Sequence, residues 1–218
     1  MSMVSSREWN DKIREWAIKR LEDHDASHDA VHASNVARIC NLIMTEDLEF
    51  NGDAAVREAI LSIAWTHDIC DQKYVSSNKE DVVCEICTTL DQLGLQPRSL
   101  EIVKAVVGTI SFSARLTRVA EGSGTGEPRD LFGDNLLAYR VVSDADMLEA
   151  MGIVGIVRTF MYQAVMKHTS GSAFSHIQTR LLRCKDYLHF KWSVQEGTSR
   201  YAAMQTACSE LLRERQPI

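Results

Sequence analysis

Proline is scarce: three in 218 residues, at positions 97, 128 and 217. Proline breaks helix interiors, so long stretches of this chain are free to wind uninterrupted. No apolar run reaches the roughly 18 residues needed to cross a bilayer, and no membrane span or membrane partner is expected. Residues 1–8 lack the basic-then-apolar order of a secretory leader, which makes a cytoplasmic location the expectation. A basic excess is missing too: 24 Lys and Arg stand against 30 Asp and Glu, a net charge of −6. Surfaces that track a duplex carry such an excess, so extended nucleic acid is excluded as the expected partner. A small anionic substrate is compatible, because local cations and a metal can oppose the global sign.

Paired cysteines at zinc-finger spacing are absent. The six cysteines lie at 40, 70, 84, 87, 184 and 208, and a chain of this size does not need them as staples. Cys84 and Cys87 form one C-x-x-C with no second pair, and read as two half-buried thiols on a helix rather than a structural zinc site. With 45% hydrophobic and 25% charged residues, the composition is that of a globular protein, and 218 residues suit one domain.

Helical periodicity accounts for most of what is present. Trp9, Ile13, Trp16, Ala17 and Leu21 recur at three- and four-residue steps, so 7–23 reads as an amphipathic helix. Ser27 is a candidate N-cap for a second helix to Thr45. Gly52 and Asp53 open a third that runs through Ile60, Ile63 and Ala64 to His67. A fourth spans about 79–93 and stops at Gly94. Pro97 starts a fifth that ends near Ile110. The glycine-rich stretch 121–130 reads as a mobile surface loop and lacks the Lys-Ser/Thr of a phosphate-binding loop. Beyond it, 131–150 is helical, the small residues Gly152 and Gly155 allow close helix packing, and 174–190 and 199–213 complete the pattern. The expectation is an all-α bundle of about eight or nine helices. It forms a single domain over 1–218, with the site within about 24–160 and the helices of about 174–213 packed on it.

The polar residues that interrupt these apolar segments are the informative ones. His28 and His32 are four apart and share a helix face; His24, one turn earlier, precedes the cap and reads as surface. His67-Asp68 ends a helix of Ile and Ala, so its polar end must meet something polar. Asp144 and Asp146 interrupt another apolar segment between Val142 and Leu148. Buried carboxylates need partners. A divalent cation held by histidines is one solution; a structural salt-bridge network is the other.

These residues resemble the HD-domain metal-dependent phosphohydrolases, in a branch of small bacterial nucleotide pyrophosphohydrolases. The resemblance runs through Ser27-His28-Asp29 with His32 and Val36, then His67-Asp68-Ile69 with Asp71 and Lys73. It continues in Ser111-Phe112-Ser113, Asp144-Ala145-Asp146 with Leu148, Gly155-Ile156, Arg158-Thr159-Phe160, and a late helix from His176 to Asp186. It implies an HD-domain fold with His32, His67, Asp68 and Asp146 as metal ligands. Asp144 is the alternate for the fourth place; Asp146 is preferred because it follows an alanine and precedes a leucine by two. The resemblance also implies Asp71 as the catalytic group that orients or deprotonates water, Lys73 and Arg158 as phosphate contacts, and His28 and Asp29 as residues that support the ligands or meet substrate. Asn35, Met147 and Ala30 depart from it, standing where many relatives carry arginine, arginine and tryptophan.

No histidine lies between Asp68 and Asp146, the interval where dinuclear members recruit extra ones, so a single ion is implied. Mn²⁺ is preferred by analogy, while Co²⁺, Ni²⁺, Fe²⁺, Mg²⁺ and Zn²⁺ also suit two imidazoles and two carboxylates. The expected activity is hydrolysis of a phosphate ester or anhydride in a small nucleotide, in the manner of a dNTP pyrophosphohydrolase. The alternatives are a catalytically silent metal-binding interaction module and a (p)ppGpp hydrolase. The acidic pair of the latter is not reproduced, since Gln72 follows Asp71. Monomer and homodimer are both open.

Overall fold

Two aspartates set where the central helices begin. Asp29 caps α2 (Ala30–Glu46), its Oδ1 accepting from the backbone N–H groups of Val31 and His32 at 3.0 Å each. Asp53 does the same for α3 (Ala54–Thr66), accepting from Ala55 and Val56 at 3.0 and 3.1 Å. Each cap satisfies N–H groups that the helix itself leaves unpaired. The second helix thus starts from Asp29, not Ser27; Ser27 lies outside the residues described. This computed structural model describes residues 6–22, 28–70 and 78–214.

Ahead of these two lies α1 (Ser6–Arg20). After them come α4 (Lys79–Gln92), α5 (Pro97–Val106), α6 (Phe112–Ala120), α7 (Gly133–Glu149), α8 (Gly152–Val165), α9 (Ser170–Thr179) and α10 (Lys191–Glu214). Short 3₁₀ turns span His67–Cys70, Val107–Thr109 and Leu181–Tyr187. The described residues contain ten α-helices, where the sequence suggests eight or nine, and no strand, so the protein is all-α. No helix among them is long and apolar enough to cross a membrane.

α3 is buried on nearly every face: Val56, Ala59, Ile60, Ile63 and Ala64 are all sealed from solvent. A helix that is apolar all round belongs at the centre of a bundle. α2, α5 and α7 surround it and share its core with α1 and α4. A smaller core lies between α8, α9 and α10, built on Ile156, Ile177, Leu181 and Met204. The cleft lies between the two. Gly152, in the left-handed region at φ +81°, turns the chain from α7 into α8. Three residues on, a Cβ at Gly155 would stand 1.9 Å from the Ala150 carbonyl oxygen, so the return is as close as the small residues suggest.

Two stretches differ from the sequence reading. Residues 112–120 form α6, because Arg115 is buried there and donates to the carbonyls of Thr125 and Tyr187 at 3.0 and 2.9 Å. The glycine-rich stretch after α6 is a loop of turns, as expected, with contacts back to the helices. Arg118 Nε donates to the Gly126 carbonyl at 2.7 Å, and Glu127 pairs with Arg140 at 2.7 Å and His189 at 3.1 Å. The expected helix over 174–190 instead breaks at Arg180. Its second half tightens to 3₁₀, whose three-residue repeat turns Leu181 and Cys184 inward together.

Candidate metal centre

α2, the end of α3 and α7 each bring one part of the site to the cleft. His32 sits in the first turn of α2, and its ring is buried. His67 and Asp68 follow directly where α3 tightens into 3₁₀. The tighter winding turns both inward. Ligand atoms from His32, His67 and Asp68 lie within 4.8 Å of one another. The His32 Nε2 is 3.3 Å from Asp68 Oδ2, and the His67 Nε2 is 3.4 Å from Asp68 Oδ1. From α7, Asp146 Oδ1 approaches the two Nε2 atoms at 3.5 and 4.0 Å.

Both imidazoles are oriented by their other nitrogen. His67 Nδ1 is 3.0 Å from the Ala64 carbonyl, and His32 Nδ1 is 3.0 Å from Glu149 Oε2. An Nδ1–H donated to oxygen leaves the Nε2 lone pair facing inward. His67 Nε2 and Asp68 Oδ2 are nevertheless buried without any hydrogen-bond partner. Orphaned buried polar atoms are costly, and a cation between them removes that cost. Donors held about 2.1 Å from one tetrahedral centre stand about 3.4 Å apart, close to the gaps between these imidazoles and carboxylates. The donor set fits a divalent metal.

Electrostatics agree with the geometry. Burial by itself would raise the Asp68 carboxyl, but the neighbouring His67, His32 and His28 outweigh it and hold it below its ordinary value. Burial also opposes ionisation of Asp146, yet the neighbouring His32, His67 and Arg158 keep it well below the usual carboxylate range, and a cation held by neutral imidazoles would supply the same positive field. Cys70, at the cleft wall, is pushed up to about 12 by burial, so it carries its proton at neutral pH.

Of the other sequence candidates, His28 lines the cleft, its ring edge-on to His32 and to Tyr162 at centroid distances of 6.1 and 6.2 Å. Arg158 lines it too, and its guanidinium contacts Glu149. Asp29 is not among the cleft-lining residues; its carboxylate caps α2 and accepts from the backbone N–H of His32 itself. Asp144, the alternate ligand, points away from the site. It is fully buried and accepts from the backbone N–H of His189 and Phe190 and from His189 Nδ1. Asp71 and Lys73 lie outside the described residues. Sequence reasoning missed Glu149, Tyr162 and Arg180. Glu149 could have been flagged by its place three residues beyond Asp146, on the same face of α7.

The cleft has a volume of about 480 Å³. Its far wall is the start of α6, where Arg180 donates to Ser113 Oγ at 2.5 Å, and Lys79 adds another cation at the rim. Met147 is buried in the wall beside Met151 and Cys184, so an apolar thioether lines the cleft there.

No protein-family model matches the chain. It is 29% identical over 183 residues to the uncharacterized protein YpgQ of Bacillus subtilis (strain 168), covering 82% of this chain and 80% of that protein. The crystal structure of Bacillus subtilis YpgQ in complex with ADP superposes with a TM-score of 0.72 at 24% identity, over 94% of this chain and 97% of the other. An HD-superfamily hydrolase from Bacillus thuringiensis superposes with a TM-score of 0.70 at 20% identity, over 96% and 98% of the two chains. The chain shares its all-α fold with these solved structures along nearly its whole length.

Proposed function

We propose that the protein is a metal-dependent phosphohydrolase of small nucleotides, acting in the manner of a nucleoside triphosphate (dNTP) pyrophosphohydrolase. One observation carries the reading: two buried imidazole Nε2 atoms and two carboxylates converge at the base of a cleft, and part of that set has no other partner. His32, His67, Asp68 and Asp146 would hold one divalent ion, with Mn²⁺ preferred on the strength of the resemblance. When bound, such an ion lowers the pKa of water at the site and polarises a phosphoryl oxygen.

The chain's own residues would do the rest. Asp71, three residues beyond Asp68, would align the attacking water and accept its proton. Lys73 and Arg158 would face the phosphates, where fixed positive charge matters most as negative charge develops. Lys79 and Arg180 at the cleft walls can add to that field. The cleft volume falls within the roughly 300–1,000 Å³ typical of small-molecule sites, and the ADP complex of YpgQ supports a nucleotide as the occupant.

The test is a product screen on metal-stripped protein given Mn²⁺, Mg²⁺, Co²⁺ or Ni²⁺ with dNTPs, NTPs, monophosphates and (p)ppGpp. Mn²⁺-dependent turnover of triphosphates is expected, and Asp68→Ala should lose metal and turnover together. Full activity in a metal-free D68A protein refutes the reading. Stabilisation by Mn²⁺ without turnover of any substrate points to the silent metal-binding module, and turnover of (p)ppGpp alone points to the alarmone hydrolase.

A further inference from the structure

Glu149 ends α7 with its side chain almost wholly buried, at 4% exposure. A carboxylate in that position is costly without charged or hydrogen-bonding partners. It has three partners, on two other helices. Oε2 lies 3.0 Å from His32 Nδ1 on α2, Oε1 accepts from Asn35 Nδ2 at 3.4 Å on the same helix, and the Arg158 guanidinium of α8 contacts it. Arg158 balances the buried charge and Asn35 adds a hydrogen bond. Neither explains why the carboxylate is aimed at an imidazole.

We propose that Glu149 is a positioning residue of the metal centre: it holds His32 in the tautomer that offers Nε2 to the ion and makes that imidazole the stronger of the two nitrogen donors. The inference rests on the metal-centre reading above. An imidazole ligates through a lone pair, so the proton must sit on the other nitrogen, and the acceptor of that proton fixes both tautomer and ring orientation. His67 is backed by a neutral backbone carbonyl, at Ala64. His32 is backed by a carboxylate, which pulls harder on the proton and leaves Nε2 more electron-rich. Because Glu149 lies three residues beyond Asp146, α7 supplies a site carboxylate and the brace for His32 from one helical face. Asn35 then has a role of its own, since its amide hydrogen-bonds the brace.

Direct Mn²⁺ titration of the metal-free protein, with free Mn²⁺ followed by electron paramagnetic resonance, tests this without reference to turnover. Glu149→Gln should weaken Mn²⁺ binding about 10- to 100-fold, while the variant still unfolds cooperatively. A cooperatively folded E149Q that binds Mn²⁺ within twofold of the parent overturns the proposal. If the parent binds no Mn²⁺ at all, the metal centre itself is wrong, and that failure is distinct from the first. Should E149Q not fold, Glu149→Asp keeps the charge. Long-range nitrogen–proton NMR on the Zn²⁺-loaded parent and E149D should then find His32 protonated at Nδ1. His32 protonated at Nε2 in either protein overturns the assignment.

Discussion

Asp144 and Asp146 are two residues apart on α7, about 200° around the helix, and so cannot face the same way. Their burial and partners assign them different work. Asp144 accepts from three donors of His189 and Phe190, just ahead of α10, at 3.0, 2.6 and 3.2 Å, whereas Asp146 turns to the imidazoles. Asp144→Asn should therefore cost about 3 kcal/mol of stability, as expected when one side of a buried pair is neutralised, and leave Mn²⁺ affinity within a few fold. Asp146→Asn should do the reverse. Paired thermal melts and metal titrations on both variants check this, and a D144N that melts like the parent but loses metal would exchange the roles. The sequence narrowed the choice to two residues and stopped there, because spacing shows that they diverge but not which one meets the histidines. Spacing puts Glu149 on the Asp146 face of α7, but its partner could not be read for a related reason. A glutamate at a helix end looks like any solvated charge until a histidine 117 residues away is folded against it.

At the scale of elements, most helices could be read from periodicity and punctuation. The apolar spacing of α1, the cap at Asp53, Gly94 after α4 and Pro97 at the start of α5 all act where the sequence places them. α6 went unread despite local signals: Ser111 caps it, accepting from the Ala114 N–H at 3.2 Å, and Phe112, Leu116 and Val119 recur at helical spacing. What the sequence could not show is its buried arginine, whose acceptors lie 10 and 72 residues on. The α7–α8 turn was legible through its glycines, and it makes a quantitative demand. A methyl at Gly155 would meet the Ala150 backbone, which cannot swing aside as a side chain can. Gly155→Ala should thus destabilise the protein by about 3 kcal/mol, at the upper end for an overpacked site. Because Arg158 follows within one turn, turnover should fall in the fraction that stays folded. Urea denaturation gives the first number; a G155A protein as stable as the parent would mean that α8 can slide away from α7.

Across the whole molecule, one polar knot joins three parts of the chain: α7, the stretch between α6 and α7, and the start of α10. His189, mostly buried, lies between Asp144 and Glu127, with Arg115 also against its ring. Burial would lower the His189 pKa, but its hydrogen bonds to Asp144 and Glu127 prevail over burial and over the Arg115 charge, so it is raised above its ordinary 6.5. Glu127 moves the other way. Its bond with His189 comes first, burial opposes, Arg140 assists, and the carboxyl is held far below its ordinary 4.5. A raised histidine contributes stability that is complete below its unfolded value and is lost as pH climbs through the folded value. A depressed carboxyl contributes stability that is complete above its unfolded value and is lost as pH falls through the folded value. The knot is therefore strongest between about pH 4.5 and 6.5. His189→Asn can still donate to Asp144 but cannot titrate. The stability gap between parent and H189N, from urea midpoints at matched pH, should be flat across pH 5–6 and shrink as pH rises above 6.5. Other titrating groups, including those of the metal centre, cancel in that difference to first order. A gap that stays constant to pH 9 would mean that His189 is neutral in the fold and accepts from Arg115 instead of donating to Glu127.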